Sequence, residues 1–116
     1  MLPSPHRMRR SSDFAAVVRR GGSVRRGCVI VHQLDGMTDV SIVGLVVGKS
    51  VGNSVVRHAV SRRLRAQLAA RLPELPATSA TVVRALPPAA TADSAELGRD
   101  LDAAFAKLRA RARARS

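Results

Sequence analysis

The sequence predicts a mixed α+β fold, and three observations carry that prediction. Two runs rich in valine and isoleucine, Cys28 to Leu34 and Val40 to Val47, are separated by a short segment containing Asp35 and Gly36, the composition of two antiparallel strands joined by a turn. A third run, Thr78 to Leu86, is closed by Pro87 and Pro88, which cannot donate to a continuing ladder. Elsewhere the apolar residues follow a helical period, so helices can cover a sheet face.

Taken in order, residues 1–10 carry two prolines and three arginines without periodicity and read as an irregular, flexible basic arm. Ser11 or Ser12 can cap a short helix in which Phe14, Val17 and Val18 form one apolar stripe, with Arg19 and Arg20 at its end and Gly21 and Gly22 to stop it. A short strand from Ser23 to Arg26 is weakly signalled ahead of the two valine-rich runs.

After Lys49 to Gly52, Asn53 or Ser54 can cap a second helix, where Val56, Val60, Leu64, Leu68 and Leu72 recur every four residues and Pro73 marks the end. Asp93 to Leu108 reads as the last helix: acidic residues lead and basic ones trail, while Leu97, Leu101, Ala104, Phe105 and Leu108 make its apolar face. Residues 109–116 either extend this helix or fray as a second flexible basic arm. With 116 residues the chain is long enough for one small core, and it is taken as a single domain, 1–116.

Charge narrows the function. Twenty Lys and Arg stand against eight Asp and Glu, a formal charge of +12, and 18 of the twenty are arginine, whose planar fork suits phosphate. The bases cluster at 7–26, 49–71 and 107–115. Acidic substitution would serve solubility without such self-repulsion, so a polyanionic partner is expected. One cysteine, Cys28, allows neither a disulfide within the chain nor a cysteine zinc site. No apolar stretch approaches the ~18 residues of a membrane span and no signal peptide is evident; a cytoplasmic protein without a membrane partner is expected.

The second helix is the expected working feature. At about 100° per residue, His58, Arg62 and Arg65 fall in one narrow sector nearly opposite Val56 and Val60, so one face can pack while the other meets phosphate. Arg63 lies on the flank of the apolar stripe. Arg57 falls nearer the stripe, as either a ligand contact beside the sheet or a salt-bridge partner. Asn53 reads first as a cap, at a helix start whose free N–H groups attract anions. Phosphate contacts give salt-dependent affinity and little sequence information. The only aromatics are Phe14 and Phe105, too few to stack several bases across a sheet; Phe105 reads as core, and Phe14 as either core or cleft lining.

The run GKSVGNSVVRHAVSRRLRA, Gly48 to Ala66, resembles the signature of bacterial ribonuclease P proteins. Lys49, Gly52, Asn53, Arg57, Arg62 and Arg65 match the pattern, whereas His58 replaces an Asn and Ala59 the second Arg of an Arg-Asn-Arg triplet. RRSSDFAAVVRRGGSV looks like the family's opening helix, and VVRALPPAA like its last strand and exit. The resemblance implies an α-β-β-β-α-β-α sandwich with a left-handed βαβ crossover, similar to a ribosomal-protein domain. It also implies a role: the protein subunit of a ribonucleoprotein endoribonuclease, in which a catalytic RNA removes the 5′ leader of precursor tRNA.

In such proteins the basic helix region binds the catalytic RNA, which assigns Lys49, Asn53, Arg57, His58, Arg62, Arg63 and Arg65 to RNA binding. A cleft between sheet and first helix holds the single-stranded leader. Phe14 matches an aromatic of that cleft, Val18 stands where relatives often carry a second one, and His32 where they often carry a tyrosine. Arg9 and Arg10 are assigned to the same cleft. Mg²⁺ would be held by RNA and substrate.

A structural RNA-binding protein, such as a ribosomal component, would share the charge without assisting cleavage. A self-sufficient nuclease would need clustered carboxylates or histidines around a metal. Asp35 and Asp39 flank a turn instead, Asp93, Glu96 and Asp100 belong to a helix start, and His6, His32 and His58 lack ligand spacing. No catalytic or metal-ligating residue is therefore expected within the chain.

Overall fold

The computed structural model describes residues 4–36 and 38–115. Three helices, α1 (Ser11–Arg20), α2 (Ser54–Arg71) and α3 (Ser94–Arg115), pack on a sheet of four strands, β1 (Gly22–Arg26), β2 (Val29–Leu34), β3 (Ile42–Val46) and β4 (Ala80–Ala85). The element order matches the expected one, including the weakly signalled first strand.

Strand order is where the sequence reading fails. The sheet runs β1-β2-β4-β3, so the expected antiparallel pair of β2 and β3 does not form. β2 is antiparallel to β1 and β4, and β3 is parallel to β4. The reason lies in β4, where every residue except Arg84 is buried; such a strand belongs between two neighbours. The segment from Asp35 to Ser41 carries the chain past the start of β4 instead of turning tightly. It is tied there by Gly36 N–H donating to Thr78 O, Ile42 N–H to Ser79 O and Ser41 Oγ to Pro76 O (3.1, 3.0 and 2.8 Å).

Two apolar cores follow from the alternation of side chains along each strand. Val29, Val31, Val43 and Val83 face α2 and α3, where Val60, Leu64, Leu68, Leu97, Leu101 and Phe105 complete a large cluster. Ala80 and Val82 face the other way, with Val17 of α1 and Met8, and Phe14, Leu34, Ile42 and Val46 pack at their edges.

Both terminal segments take regular structure among the described residues. Met8 is buried and its N–H donates to Val43 O (2.8 Å), Arg7 bridges to Val43, and His6 Nδ1 lies 2.7 Å from Ser41 O. The outer edge of β3 has backbone groups in need of partners, and the arm supplies them. At the other end α3 continues to Arg115, because alternating Ala and Arg are strong helix formers and cations suit a helix C-terminus. Met1 to Pro3 and Ser116, the ends of the two expected arms, lie outside the described residues.

The expected serine caps of α1 are also corrected. Arg10 occupies the cap position, its carbonyl accepting from Asp13 and Phe14 N–H (3.0 and 3.2 Å), and Ser11 is already helical. Gly21 ends α1 where only glycine fits: a Cβ there would lie 2.6 Å from both Gln33 O and Val17 O.

Candidate nucleic-acid interface

α2 starts abruptly after β3. Val51 N–H donates to Gly48 O (3.1 Å), which turns the chain with Lys49 and Ser50 exposed. Gly52 then lets the first helical turn close in, since a Cβ there would lie 2.9 Å from Val56 Cβ. Asn53 Oδ1 accepts from Val56 N–H (3.0 Å). Asn53 is therefore the cap, and the backbone donors of the first turn face outward, with Ser54 and Val55 exposed.

The helix divides as its periodicity predicts. Val60, Leu64 and Leu68 are fully buried, while His58, Arg62 and Arg65 are exposed and line shallow depressions on the opposite side, one with Ser54, Arg57 and Ser61 and one with Ala66. The sequence reading missed Ser54 and Ser61, whose hydroxyls complete a polar surface between the cations. Ser54 stands eight residues before Arg62 and Ser61 four before Arg65, so both carry the same helical signal as the arginines.

Arg57 is half-buried. Among the described residues it has no carboxylate partner. Its Nη2 lies 3.4 Å from Ser54 Oγ, and its Nε is buried without a hydrogen-bond partner. A guanidinium N–H left so is costly unless an acceptor arrives. Arg63 behaves otherwise: Nη1 donates to Ala92 O (3.4 Å), which ties α2 to the segment before α3 and turns this side chain away from the His58, Arg62 and Arg65 face.

The second half of the interface is the sheet face under α1. Across the strands, side chains on this face line up in rows: Leu34, Ala80 and Ile42; then Ser23, His32, Val82 and Gly44; then Arg25, Ile30, Arg84 and Val46. Phe14 seats on Gly44, where a Cβ would lie 2.5 Å from its ring and 3.2 Å from Met8 Cβ. A glycine inside a strand marks such close approach, and that signal was available in the sequence.

In the last row exposed Arg25 and Arg84 alternate with half-buried Ile30 and Val46, so that Ile30 lies between the two cations. Val18 is 42% exposed, on α1 beside buried Val17. Arg9 and Arg10 are exposed at the entry to α1.

His32 sits in the middle row, two strands from Phe14's seat. Its Nδ1 is buried and unpartnered, and its pKa is lowered, first by burial and then by the charge of Arg84. A neutral ring with an unused nitrogen can hydrogen-bond a base or phosphate. Arg65 joins the two halves: it also lines a hollow with Arg7, Met8, Phe14, Val43 and Gly44, so the basic side of α2 runs without a break into the cleft beside α1.

Fold and surface define a class: a small α+β protein with a charged, phosphate-matching helix face continuous with a half-covered sheet. Comparison with known proteins gives the family. The Ribonuclease P family model matches residues 2–109, and the chain belongs to that family. A protein of Streptomyces griseus named ribonuclease P protein component is 49% identical over 117 residues, covering 93% of this chain and 95% of that one. One of the same name from Corynebacterium diphtheriae is 46% identical, covering 93% and 97%. The fold is similar to that of the RNase P protein of Staphylococcus aureus (TM-score 0.76, 22% identity, 86% of this chain and 92% of that one). It is also similar to that of Thermotoga maritima (TM-score 0.72, 21% identity, 82% and 90%).

Proposed function

We propose that this chain is the accessory protein of a ribonuclease P ribonucleoprotein: it binds a catalytic RNA and the 5′ leader of precursor tRNA, and the RNA carries out the endonucleolytic cleavage. The observation that carries this reading is the continuity, through Arg65, between the basic face of α2 and the cleft under α1.

In this account Lys49, His58, Arg62 and Arg65 meet phosphates of the catalytic RNA, with Ser54 and Ser61 as hydroxyl donors between them. Arg57 offers its guanidinium to one phosphate, and Asn53 holds the helix start in place. Arg63 is assigned to the fold. Phe14, Val18, His32, Arg9 and Arg10 border the leader strand, with Arg25 and Arg84 holding its phosphates. Two aromatics in the whole chain make this cleft rely more on charge than on stacking.

Among the described residues no three His, Cys, Asp or Glu side chains gather as a metal site. In this reading the reaction's Mg²⁺ is held by RNA and substrate. No helix among the described residues is long and apolar enough to cross a membrane; we place the protein in the cytoplasm, with its RNA partners.

Reconstitution tests the reading. Added to a ribonuclease P RNA at low Mg²⁺, the protein should raise the rate of precursor-tRNA cleavage or the affinity for the substrate, while the RNA-free protein cleaves nothing. If neither rate nor affinity changes, the chain is a structural RNA-binding protein instead.

A further inference from the structure

The described structure carries a second concentration of charge, remote from α2. Segment 14–34 holds four arginines and no acid, and segment 103–115 holds Lys107, Arg109, Arg111, Arg113 and Arg115 and no acid. The fold brings them together at the β1 edge. A Cβ on Gly22 would touch Leu108 Cδ2 at 3.7 Å, and Arg111 Nη1 donates to Ser23 O at 2.7 Å. Arg19 and Arg20, at the end of α1, lie three and two residues before Gly22 in the chain, and both are exposed.

Those last turns have no core to explain them. Leu108 is the final buried residue of α3, yet the helix continues to Arg115. Lys107, Arg111 and Arg115 follow one another at four-residue intervals, a stripe about 12 Å long on one side of the helix. Like charges at that spacing oppose one another, and nothing acidic in the segment offsets them.

β1 and β3 are opposite edges of the sheet, and Arg65 lies with β3 residues. Three strand spacings, about 14 Å, thus separate this edge from the Arg65 side of the interface already described, while Arg25 of β1 belongs to the cleft face. Neither aromatic is here: Phe14 seats on Gly44 and Phe105 is buried. Without stacking groups such a surface meets phosphates, not bases.

We propose that the β1 edge, formed by the ends of α1 and α3, is a second phosphate-backbone site that takes a double-helical segment of RNA. The protein then bridges two segments of the RNA it binds. The inference deepens the proposed function and rests on it for the identity of that RNA.

The test compares Lys107→Gln/Arg111→Gln/Arg115→Gln with Arg62→Gln/Arg65→Gln, using a ribonuclease P RNA, a plain RNA duplex and anionic phosphatidylglycerol vesicles. Glutamine keeps helix propensity, and circular dichroism checks the fold. For the triple variant, the slope of log affinity against log salt should fall by about 2 to 3. Hydroxyl-radical protection should disappear from a region of the RNA distinct from that lost in the α2 variant. Lysine at positions 111 and 115 should restore both.

An unchanged slope and footprint would overturn the proposal and leave the charge a solubility feature. Vesicle binding lost in the triple variant with RNA binding intact would overturn it in favour of a lipid surface. If the wild-type protein ignores the ribonuclease P RNA but binds the duplex through the triple-variant residues, the proposed function fails and the second site stands.

Discussion

On the side of α2 and α3 the sheet presents Val29, Val31, Val43 and Val83, none more than 2% exposed; on the side of α1 it presents His32, Arg25 and Arg84 beside a core of four buried residues, Met8, Val17, Ala80 and Val82. The first face is covered by two helices of 18 and 22 residues and the second by one of 10 and a docked arm. Burial of apolar surface is the main source of stability, so the first face carries most of the fold. The second, half-covered face is left available to a ligand. The same division repeats within α2, whose inner side is aliphatic and whose outer side is cationic.

The comparison can be broken from the large effects downward. Leu64→Ala, in the larger core, should cost about 2–5 kcal/mol in denaturant unfolding; a loss no greater than that of an exposed site would deny that this face carries the fold. Gly44→Ala, on the other face, should displace Phe14 or Met8 and cost about 1–3 kcal/mol. Its effect on leader affinity should be proportionally larger than its effect on stability, which a pair of unfolding and binding titrations reads directly.

Arg62→Gln and Arg65→Gln should each lower the salt slope of RNA binding by about 1 and leave the unfolding midpoint unchanged. Loss of stability without loss of binding would reverse the assignment of the two sides of α2.

Titration of His32 separates the faces further. Burial and Arg84 lower its pKa, so the neutral form is favoured in the folded state. The stability this contributes is complete above the ordinary histidine pKa and is lost as pH falls through the lowered folded value. NMR should find that midpoint below the ordinary value, and RNA phosphate in the cleft should raise it; a midpoint unmoved by RNA would take His32 out of the cleft.

The smallest effect is expected where charge only fastens helices together. Arg71 donates from Nε and Nη2 to the two carboxylate oxygens of Asp102 (2.6 and 3.0 Å) and from Nη1 to Gln67 O and Oε1. Asp102 is 60% exposed, so Asp102→Asn should cost at most about 1 kcal/mol. Its hydrogen bond to Arg71 holds the Asp102 carboxyl below the ordinary value. The contribution is therefore present at neutral pH and disappears as pH falls through that lowered value.

How much of this could be read from the chain depends on whether local pattern or long-range pairing decides. The stripe from Val56 to Leu68, the Asn53 cap and the outward set of His58, Arg62 and Arg65 are consequences of helical period, and all were legible. The place of β4 between β2 and β3 was not, because two adjacent valine-rich runs look the same whether they pair or admit a third strand.

Fastening by side chains from afar was equally invisible. Arg63 is directed by a carbonyl 29 positions away, at Ala92, and His32 is shifted first by burial and then by Arg84, which register places one strand over. Nor does an arm without periodicity reveal that Met8 is buried against β3. Gly44 was an overlooked clue, a strand glycine that marks where Phe14 sits.

The central claim is that the half-covered face beneath α1 holds the leader strand. It is tested most directly by comparing how much the protein increases the affinity of ribonuclease P RNA for precursor tRNA and for the leaderless mature tRNA. The account predicts a clear gain for the precursor, little for mature tRNA, and loss of the precursor gain in Arg84→Gln with the protein still bound to the RNA. Equal gains for both substrates would contradict it.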